Sequence, residues 1–486
     1  MLRKYAAVIF FCAFAAILFA IHLAYLKLPY HWDEMGQFVP TALDLYRDGA
    51  WVAHSTLPNV HPPGVAAMLA LVWKIFGYSI PAARLTMLAI ASVGVTFTFL
   101  LAIRLSRSSP GAPAFAAAGL LMVAPMFFMQ SILVHLDMPA MTFTAIALWL
   151  FLEGRLFACV AACVALVLVK ETGITTPLVF GAWLWLQEKR RSDALYFLLP
   201  VAALGVWLAV LHQATGSWTG NIGFARYNVL ESLYPLHVLQ SLAVRLYFLF
   251  IADGHWIGTI LLAIGWRALK GTVWTVALLV ALAQFVLVTL LGGAFLERYL
   301  FPILPIFYAA VATAASTLRP VWRRTSLVTM AIAMLIGWMV NPPYPFHLEN
   351  NLAAVDFASL QQDVAQYLEG TSPDLRIASA WPFTAAVTHP EYGYVNRPLT
   401  AVELPGFELT DIATVKRSDY DLVVIFPETS SGEGSLFDFP PLNWIRRVVP
   451  FREPPNDAQL RAGVGLHPVM TVSRRGLWIK IYAPSQ

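Results

Sequence analysis

The feature that most constrains this sequence is the recurrence of long apolar segments from the N-terminus to about Val340. A helix that crosses a bilayer needs about 20 mostly apolar residues. Eleven segments approach or reach this length, so we predict an α-helical polytopic membrane protein with about eleven transmembrane helices. These segments lie near 5–27, 81–103, 111–129, 139–153, 156–169, 173–187, 194–211, 255–267, 272–291, 299–317 and 325–340.

Charged side chains are scarce, as a hydrocarbon environment requires. They make up 12% of the chain, whereas an ordinary soluble domain contains about 25%. The depletion is expected because an ionised side chain at the centre of a bilayer costs at least ~2.5 kcal/mol. The formal net charge is only +4 and does not indicate a nucleic-acid partner.

The positions of the basic residues predict the orientation, because cytoplasmic loops are enriched in Lys and Arg. With a cytoplasmic N-terminus, every strongly basic short loop falls on the cytoplasmic side. The basic residues of these loops are Arg3, Lys4, Arg104, Arg107, Arg155, Lys189, Arg190, Arg191, Arg267, Lys270, Arg319, Arg323 and Arg324. The opposite side then receives two long loops, 28–80 and 212–254, and everything after residue 340. We therefore predict an odd number of spans and an extracytoplasmic C-terminus.

Two parts of the chain differ from a spanning helix. The apolar segment 64–76 is too short to span and predicts a helix lying in the membrane interface. From residue 341 the composition is that of a soluble domain, with helical apolar spacing over 351–369. Short β-like runs follow at 376–380, 421–426 and 477–482. The chain is thus predicted to contain a transmembrane domain, 1–340, and a small α/β domain, 341–486.

Ionisable residues gather on the predicted outer side, at the ends of several helices. Adjacent carboxylates follow the first helix, and short outer turns carry further charges of both signs. The candidates are Asp33, Glu34, His61, Arg84, Asp137, Lys170, Glu171, Arg226, Arg298 and Tyr299. Each alone is compatible with a solvated turn or a snorkelling anchor. Their convergence on one side of the membrane indicates a functional site.

This arrangement resembles the GT-C membrane glycosyltransferases, in the branch that includes protein O-mannosyltransferases and the aminoarabinose transferase of lipid A. The resemblance rests on Asp33-Glu34 after the first helix and on His61-Pro62-Pro63-Gly64 opening the interfacial helix. It extends to Gly77 with Ala83-Arg84, to Asp137 and to Arg298-Tyr299-Leu300-Phe301-Pro302, and covers roughly residues 1–340. The branch often has Lys-Pro-Pro where this chain has His61-Pro62-Pro63, so His61 departs from the pattern.

The resemblance implies a polyprenyl-phosphate sugar donor, an acceptor that is a lipid, a glycan or a protein, and a bacterial plasma membrane location. The absence of a Gly-rich phosphate loop and of a Rossmann fingerprint agrees with a donor that carries no nucleotide. Asp33 is then the expected general base of an inverting single displacement, with Glu34 and Asp137 as further carboxylates of the site. Arg84, Lys170, Arg298 and Arg226 are expected to stabilise the leaving phosphate.

The same resemblance leaves cofactor use open, because some relatives use a divalent metal. Glu34, His61 and Asp137 are possible ligands, but the sequence contains no dense ligand cluster, and we predict no metal site. Three other functions compete with the transferase. The main alternative is a multi-span transporter or flippase, and the others are a membrane-anchored scaffold and a polymerase or ligase of surface polysaccharides. The lack of a repeat and the position of the charges at helix ends favour the transferase over the transporter.

Overall fold

The computed structural model describes residues 2–106, 112–341, 348–371, 373–427, 440 and 454–485. Contacts divide the chain into two compact units. The helical unit comprises residues 1–24 and 37–338, and the α/β unit comprises residues 25–36 and 339–486. The sequence analysis predicted a single boundary after residue 340. The structure instead groups 25–36, which carries Asp33 and Glu34, with the C-terminal part of the chain.

Each of the eleven predicted membrane segments contains a helix. The α-helices of the helical unit are α1 Leu2–His22, α2 Val39–Asp48, α3 Gly64–Phe76, α4 Ile80–Leu105, α5 Ala112–Val123, α6 Pro125–Gln130, α7 Asp137–Leu152, α8 Leu156–Val169, α9 Thr175–Leu186, α10 Arg191–Leu195, α11 Leu198–Thr215, α12 Ile222–Ala225, α13 Pro235–Phe250, α14 His255–Gly265, α15 Thr272–Leu290, α16 Leu304–Ala315 and α17 Pro320–Gly337.

The number of spans remains a prediction, since many of these helices are short. Among the described residues, five helical stretches are long and apolar enough to cross a membrane: Ala7–Tyr25, Ile80–Leu105, Arg191–Thr215, Thr272–Leu290 and Glu297–Ala315. A bent pair, Ile222–Leu233 with Pro235–Phe250, qualifies together but breaks by 86°. The chain is therefore a mostly helical protein with several apolar helices.

Local sequence explains several helix boundaries. The predicted segment 111–129 is divided into α5 and α6 at Pro125, whose ring and missing N–H interrupt a helix. Helix α3 ends at Gly77, which adopts φ +80°, a conformation that only glycine adopts without strain. The next helix begins after Ser79, whose side chain accepts a hydrogen bond from the Ala82 amide at 3.3 Å.

The core of the helical unit includes α4, α7 and α16. Every residue of α16 is buried. Helices α4 and α7 approach closely at Gly94, where an added Cβ would lie 2.6 Å from Thr142 Oγ1. This central packing fixes the N-terminal end of α7, where Asp137 lies.

The α/β unit contains a five-stranded sheet with the strand order β2-β1-β3-β5-β4. The strands are β1 Ile377–Ala380, β2 Ala401–Leu404, β3 Leu422–Ile425, β4 Leu466–Arg474 and β5 Leu477–Pro484. The pairs β1–β2 and β1–β3 are parallel, whereas β3–β5 and β4–β5 are antiparallel. The α-helices are α18 Ala353–Thr371, α19 Phe383–Thr388, α20 Leu409–Ile412 and α21 Asp457–Val464. Strands β1, β3 and β5 and helix α18 were predicted, and the small α/β architecture is confirmed.

Segment 25–36 is held within the α/β unit by backbone and side-chain hydrogen bonds. The Tyr30 amide donates to the Tyr392 carbonyl at 3.0 Å, and the Tyr394 hydroxyl donates to the Tyr30 carbonyl at 2.8 Å. The indole of Trp32 packs edge-on against Trp381 at a centroid distance of 5.2 Å. These contacts order the backbone immediately before Asp33.

Candidate functional site

Asp137 is the centre of a buried group of charges in the helical unit. Lys170 Nζ donates to its Oδ1 at 2.5 Å, and Arg298 Nε lies 3.4 Å from its Oδ2. All three side chains are at least nine-tenths buried. A buried charge is stable only when it is paired and hydrogen-bonded. The sequence analysis predicted that Asp137, Lys170 and Arg298 converge. In the structure, Asp137 forms direct ion pairs with both cations.

The fold brings these residues together from three separate segments. Asp137 is the first residue of α7, and Lys170 directly follows the last residue of α8. Because α7 and α8 are consecutive packed helices joined by a short turn, the start of one lies beside the end of the other. Arg298 lies in the 3-10 helix Glu297–Ile303, which packs against α7 just before α16 begins.

Tyr299 provides an aromatic surface to two cations. Lys170 Nζ lies 4.6 Å from the centroid of its ring, and the guanidinium carbon of Arg245 lies 5.5 Å from it. Arg245 is fully buried on α13, where its Nε donates to Ser241 Oγ at 3.1 Å and its Nη1 to the Leu296 carbonyl at 3.3 Å. The sequence analysis did not include Arg245 among the candidates. The available signal was a single arginine within the largely apolar stretch 235–250.

His135 is a second residue that the sequence analysis left out of the candidate set. It is fully buried, and Arg298 Nη1 donates to its Nδ1 at 2.8 Å. The guanidinium of Arg298 therefore contacts both an imidazole and the Asp137 carboxylate. The signal in the sequence was the position of His135 two residues before Asp137, in the turn that precedes α7.

His61 and Glu171 form a hydrogen-bonded pair next to the first group. His61 Nδ1 lies 2.9 Å from Glu171 Oε2, and Glu171 follows Lys170 in the connection between α8 and α9. Burial raises the pKa of the Glu171 carboxyl, but attraction to His61, a hydrogen bond from His61 and the charge of Lys170 outweigh that effect and leave the pKa below its usual value. Glu171 is therefore ionised at neutral pH.

The ring of Phe38 lies close both to the His61–Glu171 pair and to His135 of the group around Asp137. Its ring centroid lies 6.2 Å from that of His61 and 5.6 Å from that of His135. Beside it opens a cleft whose wall includes Gln37, His61 and Trp207. The remaining lining residues of the cleft are Phe38, Thr41, Trp51, Val52, Ala53, Pro58, Asn59, Pro62, Pro63, Val65, Ala66, Leu136 and Leu211. The lining thus consists of aromatic, apolar and neutral amide or hydroxyl side chains, with His61 as the titratable group.

Arg84 and Arg226 take different positions from the central cations. Arg84 is fully buried on α4 and donates to the Ile132 carbonyl at 2.7 Å, so it holds the turn that leads to Asp137. Arg226 has a largely exposed side chain that pairs with Glu231 at 3.2 Å. It lies at the surface and is not one of the buried cations around Asp137.

Asp33 and Glu34 belong to the α/β unit. Glu34 is fully buried, and its Oε2 accepts a hydrogen bond from the His31 amide at 2.8 Å. Asp33 is half-buried. Glu34 thus stabilises its own turn, whereas the neighbouring Asp33 side chain reaches the surface of this unit.

Two of the three metal ligands considered in the sequence analysis form ion pairs or hydrogen bonds with other side chains. Asp137 is paired with two cations and His61 with Glu171. In the part of the chain that the structure describes, the one group with metal-ligand spacing is Asp44, Asp48 and His54. Asp44 Oδ2 in this group already accepts two backbone amides, those of His54 and Ser55. Asp44, Asp48 and His54 are not part of the charged group around Asp137.

No protein-family model matches the chain, and no curated protein sequence matches it. Solved structures do match in fold. ArnT from Cupriavidus metallidurans bound to undecaprenyl phosphate superposes with a TM-score of 0.59 at 16% identity, over 99% of this chain and 100% of that one. The apo state of ArnT gives a TM-score of 0.57 at 16% identity, with full coverage of both chains. The apo oligosaccharyltransferase of Archaeoglobus fulgidus gives 0.51 at 11% identity, over 88% of this chain and 70% of that one.

These matches establish the class of fold. The chain has the fold of ArnT and of the archaeal oligosaccharyltransferase, in agreement with the fold that its motifs predicted. The superposition with ArnT extends over nearly the full length of both chains, at 16% identity.

Proposed function

We propose that this protein is a membrane glycosyltransferase that moves a sugar from a polyprenyl-phosphate donor to an acceptor on the extracytoplasmic face of the membrane. The observation that carries the proposal is the buried cluster of Lys170, Arg298 and Arg245 around Asp137 and Tyr299. Cations fixed in a site that excludes water stabilise a developing phosphate charge far better than solvated ones. The GT-C fold, which ArnT presents with undecaprenyl phosphate bound, supports a lipid-linked phosphate as the leaving group.

In this mechanism Lys170 and Arg298 receive the phosphate. Both are held by Asp137 in the resting protein, so their positions are fixed before the donor binds. Arginine offers a planar fork to phosphate oxygens and lysine a compact charge. Asp137 therefore acts as a positioning residue for the cations, which is a narrower role than the catalytic one predicted from sequence. Arg84 is proposed to position Asp137 indirectly, because its hydrogen bond to the Ile132 carbonyl holds the turn before Asp137.

Asp33 is the proposed general base. An acceptor oxygen attacks the anomeric carbon while the bond from that carbon to the phosphate oxygen breaks. The acceptor proton passes to the Asp33 carboxylate, and the bonding electrons stay on the polyprenyl phosphate. A single displacement of this kind inverts the configuration. Glu34 is less suited to the task because it is fully buried and bonded to the His31 amide.

The cleft beside His61 is the proposed entry for substrate groups. Its aromatic rings and neutral amides suit the faces and hydroxyls of a sugar. His61 is held by Glu171 at one wall of this cleft. Tyr299 is proposed to support Lys170 and Arg245 through the face of its ring. The plasma-membrane location with a cytoplasmic N-terminus and the extracytoplasmic position of the α/β unit are part of the same proposal.

The test uses the purified full chain in detergent with a panel of radiolabelled polyprenyl-phosphate sugars and acceptors from a membrane extract. Release of free polyprenyl phosphate is followed. We expect release that requires acceptor, that falls at least ~100-fold in Lys170→Gln and that is abolished in Asp33→Asn. Arg226→Gln removes an equal charge at the surface and serves as the matched control, with unchanged turnover.

Different failures have different meanings. Release that survives Asp33→Asn keeps the reaction class and moves the base to another carboxylate. Absence of release with every donor, together with movement of the donor across proteoliposomes, contradicts the transferase and identifies the transporter alternative.

A further inference from the structure

A second cavity lies at the end of α16 remote from the charged group. It is a groove of about 270 Å³ between α5, α16 and α17, lined by Pro113, Ala116, Ala312, Ser316, Arg323, Arg324 and Leu327. Arg298 lies in the 3-10 helix that leads into the first residue of α16, and Ser316 immediately follows the last residue of α16. The twelve residues of α16 rise by ~18 Å, so this groove is a separate site.

The packing of α17 explains why a groove opens here. The buried residues of α17 are Met330 and Met334, both in its C-terminal half. That half packs closely, since a Cβ at Gly254 would lie 2.7 Å from the Ala333 Cβ and a Cβ at Gly258 would lie 3.1 Å from Met330. The N-terminal half has no comparable buried residue among those described, and the space between it and α5 and α16 is left open.

The groove combines two cations with a small apolar wall. Arg323 and Arg324 are consecutive residues on the first turns of α17, where the helix dipole adds further positive potential. Among the described residues, the side chains that line the groove include no acidic group to balance these two guanidinium groups. Ala116, Ala312 and Leu327 provide the apolar wall, and Ser316 a hydroxyl.

We propose that this groove binds the headgroup of an anionic phospholipid. A phosphate between the two guanidinium groups satisfies charges that otherwise have no partner in this region, and acyl chains extend along the apolar wall. Basic pockets between membrane helices on the cytoplasmic side are suited to such headgroups. The positive-inside rule predicts that Arg319, Arg323 and Arg324 lie on the cytoplasmic side. The proposed reaction takes place on the other, extracytoplasmic side.

The inference is independent of the proposed reaction, because it uses no residue of the site around Asp137. It also predicts how strongly the two arginines contribute to lipid retention. Two guanidinium groups that hold one phosphate between them contribute about 1 kcal/mol each, which is roughly 30-fold in retention, whereas an exposed charge outside the groove holds no headgroup after extraction.

The experiment reconstitutes the full chain in vesicles of phosphatidylcholine with or without phosphatidylglycerol and counts the lipids retained after mild detergent extraction by native mass spectrometry. We expect wild type to retain phosphatidylglycerol in preference to phosphatidylcholine, and Arg323→Gln with Arg324→Gln to retain roughly 30-fold less. The matched control is Arg267→Gln with Lys270→Gln, which removes the same charge from exposed residues on the same predicted side. This control is expected to retain lipid as wild type does.

A second variant tests the groove itself without changing charge. Ala116→Phe places a ring in the half-exposed wall and is expected to displace the lipid while the protein stays monodisperse. Addition of inorganic phosphate distinguishes a lipid site from a simple anion site. Equal retention of both lipids, equal loss in the two charge variants, or full displacement by inorganic phosphate would overturn the proposal.

Discussion

Two sets of ion pairs in this protein show how burial changes the role of a charge. In the helical unit, Asp137 is almost completely buried with Lys170 and Arg298. In the α/β unit, Arg376 and Asp421 form a pair of similar geometry, at 3.0 Å, with side chains 42% and 34% exposed. Solvent and salt screen the second pair but not the first. We therefore expect an ion pair to be critical for stability in the helical unit and nearly neutral in the α/β unit.

The largest expected effect is at the buried pair. Asp137→Asn leaves two buried cations without their carboxylate, so we expect a loss of roughly 3–5 kcal/mol in the free energy of unfolding. Thermal unfolding in detergent measures it. The double variant Asp137→Asn with Lys170→Met removes one of the stranded cations and is expected to recover part of the loss. A double variant as unstable as the sum of both singles contradicts the pairing.

An intermediate effect is expected at the partly buried pair of His61 and Glu171. Glu171→Gln removes a charged hydrogen bond, which costs roughly 1.5–3 kcal/mol. Because the pKa of Glu171 is lowered in the folded protein, its contribution is present above the ordinary pKa of a free glutamate and is lost as the pH falls through the lower folded value. Unfolding followed from neutral to acidic pH tests this. Wild type and variant should converge in acid, and a constant difference would argue against an ionised Glu171.

The smallest effect is expected at the exposed pair of the α/β unit. Hydrogen bonds from the Arg376 side chain and backbone lower the pKa of Asp421. Its contribution to stability is thus present above the ordinary aspartate pKa and is lost as the pH falls through the lowered value. We expect Asp421→Asn to leave the melting temperature nearly unchanged, and high salt to remove any remaining difference. A loss comparable to that of Asp137→Asn would mean that exposure does not decide the outcome.

Much of the fold was predictable because its signals are local. The apolar segments, the interfacial-length segment 64–76 and the strand near 477–482 all contain the predicted element. Two strands were missed for physical reasons. Strand β2 has four residues and includes Glu403, and β4 includes Pro468, so neither shows a clear alternation of apolar and polar side chains. The division of 111–129 required the effect of Pro125 within an otherwise apolar run.

The candidate site was predictable in its charged residues but not in its contacts. Asp137, Lys170 and Arg298 attracted attention because ionisable groups at the ends of apolar segments are costly. Their pairing depends on how α7 and α8 pack and on where the 3-10 helix lies, which spacing does not specify. Arg245 and His135 were missed because each is a single polar residue whose role appears only when its neighbours are known.

The path of the chain through its two units has a consequence for engineering. Residues 25–36 interrupt the helical unit near its start and obtain their hydrogen-bond partners from Tyr392 and Tyr394, more than 350 positions later. A stop codon placed after residue 340 thus removes the partners of an early segment as well as the late one. The same holds for chimaeras, since a C-terminal part borrowed from a relative must bring its own matching residues 25–36. The unit of exchange in this protein is a pair of distant segments that must be replaced together.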